Sequence, residues 1–126
     1  MPTKLPLSAN YNNLQNSDVF ISDTIYSATL GASSDTTLAV PLTSDLGGSN
    51  TANVNYLVAR IRHTPNKDIW FAVNATAAAP AGGSFASTTS ELLDNNVCEY
   101  KVKSGDILHF FTTASSAVVS VAFYWM

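Results

Sequence analysis

The sequence contains little charge and few basic residues. Only 12% of its 126 residues are Asp, Glu, Lys or Arg, about half the share found in an average soluble domain. The formal net charge is −3, and the six basic residues are scattered at Lys4, Arg60, Arg62, Lys67, Lys101 and Lys103. Because nucleic-acid affinity depends on clustered Lys and Arg, this composition argues against nucleic acid as a partner.

Cysteine and long hydrophobic runs are also scarce. Cys98 is the only cysteine, so no disulfide can form within the chain and nothing indicates an oxidising compartment. The N-terminal residues lack the apolar core of a signal peptide, and no run approaches the roughly 20 apolar residues of a membrane span. We therefore expect a soluble protein that is made in a cytoplasm and has no membrane partner.

The clustered groups that catalysis or metal binding requires are missing as well. His63 and His109 are the only histidines; neither has a base or an orienting acid nearby in the sequence, and the spacings typical of zinc ligands are absent. Cys98 alternates with Tyr100, which is typical of a small buried side chain rather than a nucleophile. The aspartates are dispersed, as turn residues are. We predict no enzyme activity, no catalytic residue, no cofactor and no metal site.

What the chain does contain is a series of short, strand-like segments. In CEYKVK, residues 98–103, apolar and charged side chains alternate with the period of a half-buried strand. Similar segments are VFISDTIYSATL, VNYLVARIRHT, DIWFAVN and VVSVAFYWM, the last of which we expect to be either central or tied down. The only helical signal is at most one turn in TSELL, with Ser90 as its cap. Residues 18–126 are therefore predicted to form one all-β domain of about six to eight strands, an antiparallel, jelly-roll-like β-sandwich.

Two segments fall outside this strand pattern. Residues 1–17 are polar and are predicted to be an N-terminal arm, either flexible or ordered only against a neighbour. Residues 74–90 contain no charged side chain and consist largely of Ala, Gly, Ser and Thr. Connections longer than about 12 residues are usually functional or disordered, and small side chains lose little entropy when ordered. We predict that this loop packs closely on another subunit; a mobile surface loop is the alternative.

A surface aromatic residue precedes this loop. If Ile69, Phe71 and Val73 form a core row, Trp70 lies on the opposite face and is the first candidate for a contact residue. Loop and arm supply the other candidates. The complete set of predicted subunit-contact residues is Trp70, Asn74, Pro80, Phe85, Tyr11 and Leu14.

The second half of the chain carries a particular order of motifs. A strand end W-x-A-x-N-x-T at 70–76 is followed by an Ala/Pro/Gly loop, a Ser/Thr-Glu-Leu segment and a V-K-x-G-D-x-L-H-F hairpin at 102–110. Over roughly residues 68–126 this order resembles small virion proteins of tailed bacteriophages. The resemblance implies a non-enzymatic capsid decoration or cement protein that forms a homo-oligomer, with a trimer as the guess, and binds the major capsid protein or other virion proteins. It also implies a location in the virion, assembled in the host cytoplasm.

Two other functions are open from the sequence. A fibre or tail-associated adhesin module would bind host-surface glycans through exposed aromatic rings. A small hydrolase or metal-binding jelly roll would need clustered His, Asp and Glu, which the chain lacks. The polar arm and the short length favour decoration over the adhesin, because adhesins usually carry additional shaft sequence.

Overall fold

The computed structural model describes residues 3–4, 22, 24–42 and 56–125, and in these ranges the chain forms strands and no helix. The strands are β1 (Thr3–Lys4), β2 (Ile25–Leu30), β3 (Thr36–Ala39), β4 (Tyr56–His63), β5 (Ile69–Val73), β6 (Glu91–Leu92), β7 (Cys98–Lys103), β8 (Ile107–Thr112) and β9 (Ala117–Trp125). The all-β class predicted from the sequence is confirmed. The described part of the chain offers no membrane-spanning helix.

The strands form two sheets that enclose one core. In the first sheet the order is β2-β9-β4-β7, and the short β1 continues along the same edge of β9 as β2. In the second sheet the order is β3-β8-β5-β6. The antiparallel pairs are nested in the sequence: β2 with β9, β3 with β8, β4 with β7 and β5 with β6. This is the strand order of a jelly roll, so the predicted antiparallel sandwich is confirmed.

The core lies between the sheets because the longer strands send alternate side chains inward. In β4 the inward row is Leu57, Ala59 and Ile61, all completely buried. On the inner face of the second sheet, the paired residues Phe71 and Phe110 pack with their ring centroids 5.2 Å apart. β9 is central, as expected, with β1 and β2 on one side and β4 on the other. It contributes to the same cluster through Val119, Val121 and Phe123.

The turn between β7 and β8 forms hydrogen bonds with Asn74, the first residue of the long loop 74–90. Gly105 has a φ of 88°, which glycine adopts without strain. Next to it, a side-chain oxygen of Asp106 accepts a hydrogen bond of 2.9 Å from the Lys103 N–H. The second oxygen of this carboxylate is thereby directed towards the end of β5, where the loop begins.

The helical turn considered for TSELL is wrong. Glu91 and Leu92 form β6, which pairs antiparallel with β5. Ser90 caps no helix; its buried hydroxyl accepts a 3.1 Å hydrogen bond from the Ala78 N–H instead. A strand of two residues has no periodicity of its own, so its conformation is determined by the strand beside it rather than by its local sequence.

Most of the predicted arm, including Tyr11 and Leu14, lies outside the described residues. Of residues 1–17 only Thr3–Lys4 is described, as β1, which runs parallel to β9 beside Tyr124 and Trp125. The boundary between an arm ending at residue 17 and a domain beginning at residue 18 stays a prediction.

Candidate contact surface

The long loop, residues 74–90, begins at an asparagine that is fixed by three hydrogen bonds. The Asn74 N–H donates to the Ile107 carbonyl over 2.8 Å, and its side-chain oxygen accepts from the Ile107 N–H, also over 2.8 Å. Its amide nitrogen donates to Asp106 at 3.0 Å. The φ of 57° is one that Asn tolerates better than most residues. Asn74 thus sets the direction in which the loop leaves β5, while its predicted role as a subunit contact stays a prediction.

The first part of the loop lies on the outer face of the second sheet. Ala77 and, beneath the loop, Ala72 of β5 are only 1% and 2% exposed. The Ala77 N–H donates to one oxygen of Asp35 over 3.1 Å, and the other oxygen lies 2.7 Å from Nδ1 of His109. Asp35 therefore ties the loop to β8. Because this part of the loop packs on its own sheet, the predicted contact with another subunit involves the rest of the loop, residues 78–89.

That remainder is exposed but anchored at its end. Residues 80–89 are all exposed, whereas Ser90 is buried and its N–H donates to the Thr88 hydroxyl over 3.2 Å. Near the middle of this stretch Phe85 is fully exposed to solvent. A single exposed apolar residue on a protein surface is common and needs no special explanation. The residues around Phe85 show whether it belongs to a larger apolar surface.

Phe85 lines an open groove together with Trp70 and Pro80. The groove has a volume of about 360 Å³, and small residues complete its lining: Gly82, Gly83, Ser84, Ala86 and Thr88. We call this set the Trp70–Phe85 groove. Trp70 lies on the outer face, as predicted, because Ile69 and Phe71 are buried in the core; Val73, at the end of the strand, is 38% exposed. Three of the six predicted contact residues are therefore brought together.

Among the residues that the structure describes, no charged side chain lines the Trp70–Phe85 groove. Beside it, Leu92 lies opposite Trp70 in the pairing of β5 with β6 and is 45% exposed, which extends the apolar surface. Centres of protein interfaces are depleted in charge and enriched in aromatic residues, and this composition matches them. Chemically, the groove can offer apolar contact, ring stacking and hydroxyl hydrogen bonds.

The side chains considered as candidates for catalysis or metal binding contact nearby groups of the fold. Nδ1 of His63 lies 2.9 Å from the Thr64 carbonyl oxygen, and its Nε2 lies 2.6 Å from that of Asp94. His109 is partly buried on a face of β8, where its Nδ1 contacts the Asp35 carboxylate. Cys98 is a free thiol that packs against the core. In the described ranges no three His, Cys, Asp or Glu side chains are grouped so that they could hold a metal ion.

Sequence reasoning missed the pairing of Asp35 with His109. The two residues are 74 positions apart, and neither belongs to a local motif. Asp35 has the sequence context of an ordinary turn residue, in GASSD. Only the register of β3 on β8, in which Thr37 lies opposite His109, brings the two side chains together. A local pattern could not have revealed the contact.

Comparison of the chain with protein-family models, with curated proteins and with solved structures finds no match.

Proposed function

We propose that this chain is a non-enzymatic structural protein of a phage virion, a capsid decoration protein that binds a neighbouring virion subunit through the Trp70–Phe85 groove. The observation that carries the proposal is the fully exposed Phe85, held next to Trp70 in an uncharged groove by a loop fixed at both ends. The resemblance of residues 68–126 to small virion proteins supplies the class of partner, the major capsid protein.

The Trp70–Phe85 groove can be buried against a partner at low energetic cost. Removing a Phe side chain from water contributes about 1.5–3 kcal/mol, and no charge in the lining has to be desolvated at the same time. The hydrogen bonds of Asn74 and Ser90 restrict the loop before contact, so less entropy is lost on binding. Aromatic residues in such positions often supply most of the energy of an interface.

The charge of the chain agrees with a place on the outside of a shell. With a net charge of −3 it has no electrostatic attraction to packaged DNA. An attachment that depends on apolar burial rather than on ion pairs also varies little with salt concentration. We therefore expect the decoration to survive high ionic strength.

The proposal is tested by adding purified protein to phage capsids that lack it and measuring the bound fraction after sedimentation. Phe85→Ser is expected to weaken binding about tenfold or more, because it removes the most exposed ring of the groove. Val118→Ser is the matched control: Val118 is 42% exposed, lies on β9 of the other sheet, and should leave binding unchanged. Equal binding by wild type and Phe85→Ser, or no binding by either, contradicts the proposal.

A second candidate function is glycan binding by a fibre or tail-associated module. The observation in its favour is that Trp70 shares the groove with the hydroxyl-bearing residues Ser84 and Thr88, and sugars stack on aromatic rings and bind hydroxyls. A glycan array distinguishes the two functions. Specific binding that is lost in Trp70→Ala, combined with no binding to capsids, would favour the adhesin.

A further inference from the structure

The two sides of the sandwich differ in charge. One side is formed by β7 and β6, which carry the charged residues Glu99, Lys101, Lys103 and Glu91. The other side is formed by β2 and β3, with the sequences IYSATL and TTLA, and neither strand has a charged residue. Charged side chains on edge strands are one of the usual means by which proteins prevent strands of other chains from pairing with them. The strands β2 and β3 themselves lack this protection, and Lys4 of β1 is the charged residue described on the same edge of β9.

The backbone of β2 has hydrogen-bonding groups that point away from its sheet. The Phe123 N–H donates to the Thr24 carbonyl over 3.0 Å, so the pair of residues 24 and 123 is hydrogen-bonded. Because such pairs alternate along an antiparallel ladder, Ile25, Ser27 and Thr29 direct their N–H and C=O groups to the other side. No strand among the described residues pairs with that side of β2.

We propose that this edge binds a second copy of the chain, with β2 antiparallel to β2 of the copy across a two-fold axis at Ser27. Ile25 then lies opposite Thr29 of the copy, and Ser27 opposite its own equivalent. Each of the three residues offers one donor and one acceptor, so the two edges together form roughly six main-chain hydrogen bonds. The edge is its own complement, both in hydrogen bonds and in its lack of charge.

The side chains of β2 support this occupant. Residues 25–29 are all exposed, including Ile25 at 46% and Tyr26 at 45%, although both are large and apolar. The register of the strand on β9 is unbroken from Ile25 to Leu30, with no bulge, proline or glycine to interrupt an added strand. In the proposed pair Tyr26 lies opposite Ala28 of the copy, where the small side chain leaves room for the ring.

An apolar groove opens on the same side of the sandwich. It has a volume of about 170 Å³ and lies between β2 and β3, lined by Tyr26, Ala28 and Leu38 together with the core residues Phe110 and Val121. An added strand next to β2 places its inward-facing side chains over this opening. The proposed pairing therefore extends the first sheet and covers this apolar groove in one step.

The test is sedimentation velocity of the full chain over a range of concentrations. Wild type is expected to show a mass at least twice the 13.4 kDa of one chain. Ser27→Lys and Ser27→Glu each place like charges opposite one another at the two-fold axis, so each should halve the mass of wild type. Mixing the two variants places Lys opposite Glu and should restore it. Thr76→Lys and Thr76→Glu, which add the same charges at an exposed loop residue, should behave as wild type.

A wild type with the mass of one chain overturns the proposal, and so do two results with the variants. One is a wild-type mass that neither Ser27 variant changes, and the other is a loss of mass in both variants that mixing does not restore. Both variants lose the Ser27 hydrogen bond to Ser120, and mixing them does not restore that bond. A mass that recovers on mixing therefore reports pairing of the two charges and not repair of a misfolded chain. The measurement needs no virion component, so its outcome is independent of the capsid-binding experiment. Pairing of β2 with an unrelated extended peptide would instead leave wild type at the mass of one chain.

Discussion

At the scale of single residues, Asn74 shows how a surface side chain can be structural. It combines a left-handed backbone with two side-chain hydrogen bonds, one accepted from Ile107 and one donated to Asp106. Its position at the start of the loop made it a candidate for contact with another subunit, and that role stays a prediction. A local sequence pattern does not reveal which polar groups a residue meets within the fold. The distant β7–β8 turn supplies those groups.

We expect Asn74→Ala to lower the free energy of unfolding by about 2–3 kcal/mol. The left-handed φ costs a residue with a Cβ about 1–2 kcal/mol, and the lost acceptor leaves the Ile107 N–H without its side-chain partner. Asn74→Gly loses the same side-chain hydrogen bonds but tolerates the φ, so it should be about 1 kcal/mol more stable than Asn74→Ala. Urea denaturation measures both. Equal stability of the two variants would contradict the role assigned to this backbone conformation.

At the scale of elements, sequence periodicity predicted the long strands and failed for the short one. The alternation of CEYKVK and the inward row of β4 follow directly from burial on one face, which a sequence displays every second residue. β6 has only two residues, so TSELL contains no period to read. The nested strand order and the Asp35–His109 contact are set by long-range pairing, for which a single sequence carries no signal.

Tyr100 of β7 and Glu91 of β6 connect the two sheets at one edge, and this contact has a consequence at alkaline pH. The phenol hydroxyl donates to a Glu91 oxygen over 3.3 Å. Burial, followed by the nearby charges of Glu91 and Cys98, raises the pKa of Tyr100 from 10.0 to about 12. The folded chain therefore keeps this proton between about pH 10 and 12, where the unfolded chain releases it.

Rising pH in that window favours the unfolded chain, so part of the stability present below pH 10 is lost as the pH approaches 12. We expect the loss of unfolding free energy between pH 9 and pH 11 to be smaller in Tyr100→Phe than in wild type, as measured by denaturation at a series of pH values. Glu91→Gln removes one of the charges that raise the pKa and should give an intermediate slope. A slope in Tyr100→Phe identical to that of wild type would contradict this explanation.

At the scale of the whole molecule, two apolar surfaces are poor in charge. The strands β2 and β3 contain no charged residue, and none of the described residues that line the Trp70–Phe85 groove is charged, although the groove lies beside β6. An assembly protein needs surfaces that can be desolvated at low cost, and the low overall charge of the sequence is consistent with two of them. We interpret the neutral edge as a contact between copies and the groove as a contact with the capsid.

The most direct test of the proposed function is cryo-electron microscopy of the virion that we propose carries the chain. We predict density for the jelly roll on the outside of the shell, with loop residues 78–89 and Trp70 against a neighbouring virion subunit and the ring of Phe85 buried. A particle without the chain, or one in which the chain is bound through a different face and the Trp70–Phe85 groove remains open to solvent, would contradict the account.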